Sequence, residues 1–103
     1  MALDMRPNCE CCDKDLPPQS TEARICSYEC TFCAACVDTR LRNVCPNCGG
    51  GFTVRPVRPA VNHRKGNYLG NYSASQNVVY KPVDLAAHER FCAALKNIPA
   101  ELR

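Results

Sequence analysis

A small α+β fold, organised by metal rather than by an apolar core, is what the sequence predicts. Three observations predict it. Nine of the ten cysteines in this chain of 103 residues lie between Cys9 and Cys48. Eight of those nine fall into close pairs: Cys9 with Cys12, Cys26 with Cys30, Cys33 with Cys36, and Cys45 with Cys48. The aromatic complement is thin, with three Phe, four Tyr and no Trp. Few large rings remain to fill a core, and a cysteine-rich head of about 45 residues is below the size at which burial alone secures a fold.

Each pair is a metal-ligand signature. A gap of two residues lets both sulfurs of a tight turn reach one ion while backbone N–H groups point at the sulfurs. Zinc takes four such ligands in a tetrahedron, so four pairs make two closed sites with no position left for water. Closed sites are structural, and tetrathiolate chemistry favours zinc, so two Zn2+ ions are the expected cofactors. The turns are locally supported by Asp13-Lys14 after Cys12, Pro46 inside the last pair and Gly49-Gly50 after Cys48. Buried free thiols are the plain alternative, and four spaced pairs weigh against it.

Further along, Phe52-Thr53-Val54-Arg55 alternates like a short strand after the Gly49-Gly50-Gly51 run. Pro56 and Pro59 keep the next segment extended. Residues 60–75 are rich in Gly, Asn and Ser and read as loop. Asn77-Val78-Val79-Tyr80 is a second candidate strand, closed by Pro82. Asp84 is placed to cap a helix over 85–98, with Ala87, Phe91, Ala94, Leu95 and Ile98 on its apolar face and Pro99 as its stop. That helix is marginal alone and is expected to dock. The chain thus divides into a two-zinc module at 1–55 and, at 56–103, a basic linker, a short strand and the docked helix.

The formal charge is +3. Eight thiolates and two zinc ions would bring it to about −1. Residues 1–48 carry five Lys/Arg against seven Asp/Glu, and residues 49–103 eight against three, so any basic surface belongs to the second part. Neither a signal-like start nor a membrane-length apolar run is seen, which leads us to expect a cytoplasmic protein with reduced thiols and no membrane partner.

The ligand string C-x2-C-x13-C-x3-C-x2-C-x2-C-x8-C-x2-C resembles a RING finger with cysteine at the usual histidine position. Glu29-Cys30-Thr31-Phe32-Cys33-Ala34-Ala35-Cys36 is similar to that family's central ligand run, and Cys45-Pro46-Asn47-Cys48 to its last pair. The resemblance implies a treble-clef, cross-brace module. In it Cys9, Cys12, Cys33 and Cys36 hold one zinc, and Cys26, Cys30, Cys45 and Cys48 the other. A LIM-type sequential pairing fits the order of ligands as well. Cys11 is expected to be a spare thiol between two ligands. The opening Arg6-Pro7-Asn8-Cys9-Glu10-Cys11-Cys12-Asp13-Lys14-Asp15-Leu16-Pro17, with Cys45-Pro46-Asn47-Cys48-Gly49-Gly50 and Lys81-Pro82-Val83-Asp84-Leu85, resembles an uncharacterised bacterial family of short cysteine-rich proteins, a domain of unknown function. That second resemblance implies no activity.

The leading functional expectation is a non-enzymatic zinc module that presents a surface to a protein partner. One alternative is nucleic-acid binding through Arg55, Arg58, Arg64 and Lys65, with Tyr68 and Tyr72 as stacking rings. Another is redox or zinc sensing, with Cys11 as an exposed reactive thiol. A ubiquitin-ligase role is not expected, because Cys11 stands where an aliphatic contact belongs, tryptophan is absent and Gly49 follows the last ligand. Catalysis and a small-molecule substrate find no support. His63 reads as a loop residue, His88 as a helix surface or packing residue, and Cys92 as a small core hydrophobe.

Overall fold

The Cys26–Cys30 segment turns the chain back on itself and makes a hairpin, because Glu29 takes a left-handed conformation (φ 66°) and its N–H donates to the Cys26 carbonyl at 3.0 Å. In this computed structural model, which describes residues 3–103, strand β1 is Ala23–Ile25 and strand β2 is Thr31–Cys33. They pair antiparallel, with Ala23 opposite Cys33 and Ile25 opposite Thr31. Strand β3, Thr53–Val54, adds to the other side of β1, giving the order β2-β1-β3. The alternating segment after the glycines therefore does form a strand.

β2 leads without a loop into helix α1, Ala34–Cys36, which continues as a π-helical stretch, Val37–Leu41. Arg42 and Asn43 end it in left-handed conformations (φ 54° and 57°). Asn tolerates that region well, and the Asn43 N–H donates back to the Val37 carbonyl at 3.1 Å. Leu16, Phe32, Leu41 and Val44 are buried beside the cysteine thiols, and Phe52 meets Phe32 edge-on at 5.3 Å. The core is as much sulfur as hydrocarbon.

Helix α2, Leu85–Ala93, is capped as expected, the Asp84 carboxylate accepting from the Ala87 N–H at 3.1 Å. It is shorter than the expected 85–98, and it docks by a different line. His88 and Cys92 are buried and Leu95 half-buried, while Ala87, Phe91 and Ala94 are exposed. The buried imidazole is tolerated because its Nε2 meets the Leu41 carbonyl at 2.9 Å. An apolar stripe chosen by hydropathy passes over such a histidine.

The second candidate strand does not form. Asn77-Val78-Val79-Tyr80 runs beside the Cys9 loop without pairing: Asn8 Nδ2 donates to the Val79 carbonyl at 2.9 Å, and the N–H of the following Lys81 to the Glu10 carbonyl at 2.9 Å. Asn8 is bridged to Asp15 across the Cys9 turn. After Pro99 a 3-10 turn, Ala100–Leu102, closes the tail, and the Arg103 guanidinium donates to the Asn43 and Gly49 carbonyls at 2.9 and 3.2 Å. Among the described residues no helix is long and apolar enough to cross a membrane.

Candidate metal centre

Two groups of converging sulfurs dominate the head. The first comprises Cys9, Cys12, Cys33 and Cys36, whose Sγ atoms all lie within 4.8 Å of one another. Cys9 and Cys12 share a loop closed by the Asp13 N–H on the Cys9 carbonyl and the Cys9 N–H on the Lys14 carbonyl, both at 2.8 Å. Asp13 makes the turn with φ 64°. Cys33 ends β2 and Cys36 sits in α1, so strand and helix deliver the second pair. The Cys12 and Cys33 sulfurs are 3.8 Å apart. That is the edge of a tetrahedron with metal–sulfur bonds of about 2.3 Å.

The thiols of this group disturb one another. Burial pushes the Cys9 thiol up to about 11, although the N–H groups of Cys12, Cys33 and Cys11 pull against it. Burial, then the nearby sulfurs of Cys33 and Cys9, pushes Cys36 up as well. At Cys12 burial acts in the same direction, but the Lys14 N–H and the thiols of Cys9, Cys36 and Cys33 outweigh it and the value falls. Four thiols this close do not ionise together without a cation among them.

The second group holds Cys26, Cys45 and Cys48, again within 4.8 Å. Cys26 follows β1, and its sulfur accepts from the Tyr28 N–H at 3.3 Å. Cys45 and Cys48 sit on a knuckle closed by the Gly49 N–H on the Cys45 carbonyl and the Cys45 N–H on the Gly50 carbonyl, both at 2.8 Å. Gly49 supplies the positive φ of 78° that the knuckle needs, and the Gly50 N–H reaches the Cys48 sulfur at 3.4 Å. Burial pushes the Cys45 thiol up, against the Asn47 and Cys48 N–H groups directed at it.

The sequence places Cys30 in this second set, and the structure leaves it outside the converging group. Cys30 is buried next to Cys26, but its sulfur accepts from Asn47 Nδ2 at 3.4 Å. It immediately precedes β2, and its carbonyl accepts from the Cys26 N–H at 3.2 Å. Cys11 belongs to neither group. It is buried at 5% exposure, which corrects the expectation of an exposed reactive thiol. The Arg40 guanidinium lies against it. Cys92 is buried in α2 as a core thiol.

The two groups differ in their electrostatic setting. Lys14, ion-paired with Glu22, lies near Cys33 and Cys12, and Arg40 lies near Cys36 and Cys12. Near Cys30 lies the buried Glu10 carboxylate, and the Arg103 guanidinium sits on the Gly49 carbonyl behind the Cys45–Cys48 knuckle. That carboxylate is itself held by Arg6 at 2.9 Å and by the Thr31 N–H at 2.5 Å. Sequence reading passed over Glu10, Arg40 and Asn47 because none has ligand spacing; only Asn47 carried a signal, lying inside the last pair.

Of the candidate nucleic-acid residues, Arg55 is withdrawn from the surface. Arg55 is 1% exposed and donates to the carbonyls of Arg6, Leu16 and Pro17 at 2.8 to 3.1 Å, so its guanidinium is an internal brace and not a phosphate contact. Arg58 donates to the carbonyls of Leu3, Tyr72 and Ser73. Arg64, Lys65 and Tyr72 are exposed, while the Tyr68 ring lies against Gly70.

A cleft of about 270 Å³ lies between the knuckle and α2, lined chiefly by Pro46, Asn47, Pro82, Val83, Ala87 and Phe91. Phe91 and Leu95 approach Gly49 so closely that a methyl there would meet Leu95 at 3.3 Å and Phe91 at 3.5 Å.

Comparison with known proteins places the chain in a family. The family described as "Protein of unknown function (DUF1272)" matches residues 2–58, and the chain belongs to it. The chain is also similar to the "Uncharacterized protein R02474" of Rhizobium meliloti (strain 1021), with 56% identity over 80 residues, covering 78% of this chain and 88% of that protein. No solved structure matches.

Proposed function

We propose that this chain is a non-enzymatic, cytoplasmic two-zinc module of the cross-brace, RING-like kind, whose work is to present a surface to a protein partner. The observation that carries the reading is the first sulfur group. Four thiols from a loop, a strand end and a helix converge within 4.8 Å, with one edge at 3.8 Å, which is the donor set and spacing of a closed tetrathiolate site. The second group alternates with the first along the chain, as a cross-brace requires, and Cys30, buried beside Cys26, is its fourth ligand.

A closed site supplies folding energy and leaves no coordination position for a substrate, so function falls to the surface that the metal organises. The cleft beside Phe91 supports that part of the reading. It combines an exposed aromatic ring with Pro46, Pro82 and Val83 on a metal-anchored frame. Native mass spectrometry of the reduced protein tests the metal content, with two zinc ions expected and none as the contrary result. Phe91→Asp tests the surface. It should abolish capture of a specific partner from the native lysate while leaving the zinc count unchanged, and equal capture by both proteins would defeat the interaction reading.

A further inference from the structure

The two sulfur groups are not equivalent, and the inequality has a function of its own. Resting on the two-zinc reading above, we propose that the second group is an exchangeable metal site, loading and releasing a thiophilic d10 cation such as Zn2+ while the first group retains its own ion.

Ligand count is the first argument. The first group has four sulfurs already gathered within 4.8 Å, whereas the second has three, with Cys30 outside the gathered set. A metal at the second group must draw Cys30 inward to complete four sulfurs, a movement that the first group does not need.

Charge does not separate the sites. A tetrathiolate zinc site carries two net negative charges. Lys14, near the first group, is paired with Glu22, and Glu10, near Cys30, is paired with Arg6. Arg40 lies near the first group, and the Arg103 guanidinium sits on the Gly49 carbonyl behind the second.

Cover is the second argument. Phe91 and Leu95 of the tail lie over Gly49, which follows the last ligand. A short helix held mainly by His88 and Cys92 is the kind of element that opens locally, and its opening uncovers the knuckle. Access to a single sulfur does not separate the sites, because Cys12 and Cys48 are both exposed. The exchange itself is ligand substitution. Sulfur–metal bonds form as thiol protons leave to water, and release reverses this, with no electron transferred.

The test uses the full-length reduced protein carrying two zinc ions. EDTA is added, zinc content is followed by native mass spectrometry, and free thiols are pulse-labelled with N-ethylmaleimide and mapped on peptides. One zinc should leave about tenfold faster than the other or more. Cys26, Cys30, Cys45 and Cys48 should be labelled in that fast phase, and Cys9, Cys12, Cys33 and Cys36 only as the second zinc leaves. Simultaneous loss, the reverse order, or mixed labelling in the fast phase overturns the exchangeable-site proposal and leaves the two-zinc reading standing. Failure to bind zinc at all overturns that reading itself.

Discussion

The head and the tail of this molecule hold themselves together by different means. In the head, most cysteines are buried with Leu16, Phe32, Leu41 and Val44, and two groups of sulfurs gather around points where an ion fits. Among residues 59–103 only His88 and Cys92 are buried. The family match covers residues 2–58, which is the head. A short chain with little hydrocarbon gathers its thiols in the head, and the remaining chain is laid over the result by a few specific contacts. Stability should accordingly be metal-linked in the head and contact-linked in the tail.

The largest expected effect comes from metal removal. Each structural site contributes on the order of 10 kcal/mol to folding at neutral pH. Full chelation should therefore unfold the head and take α2 with it, since a helix of this length is not stable unsupported. Circular dichroism and amide-proton dispersion would register both losses. A head that keeps its dispersion without metal would break the comparison.

Next is Arg55→Met. The substitution strands the carbonyls of Arg6, Leu16 and Pro17 and should cost about 3 kcal/mol. The denaturation midpoint of the metal-loaded protein should fall accordingly. Because the brace lies in the head, the loss should appear at both sulfur groups.

His88→Ala sharpens the comparison from the other side. It removes the contact with the Leu41 carbonyl and part of the docked line, for about 2 kcal/mol. Hydrogen exchange should accelerate across 85–93 and leave β1 and β2 protected, with the zinc count unchanged. Global unfolding by this one substitution would mean that the tail is not an overlay.

The smallest effect is Asp84→Ala, about 1 kcal/mol of helix stability, read as faster exchange at the first turn of α2. The head should not respond.

How much of this was legible follows the same divide. Metal-ligand spacing is local chemistry, so the two pairs of the first group, the Gly49 knuckle and the Asp84 cap could be read from neighbouring residues. Arg55 could not, because its partners lie 49, 39 and 38 positions away. Nothing near Arg55 distinguishes a brace from a solvated cation. The strand at Asn77-Val78-Val79-Tyr80 failed for a similar reason: a β-prone segment becomes a strand only where another strand pairs with it. The docking face of α2 was misjudged by about one residue, since hydropathy cannot foresee a histidine satisfied by the Leu41 carbonyl. Cys30 is subtler still, because its spacing is right but its sulfur, which accepts from the Asn47 amide, lies outside the gathered three.

The alternation of the sulfur pairs also sets an order of events during synthesis. The first group is complete in sequence once Cys36 has left the ribosome, nine residues before Cys45 follows. Until then Cys26 has neither knuckle sulfur to meet. The nascent chain can thus gather one sulfur group while the other stays incomplete, and no cut between Cys26 and Cys33 yields a fragment with either group whole.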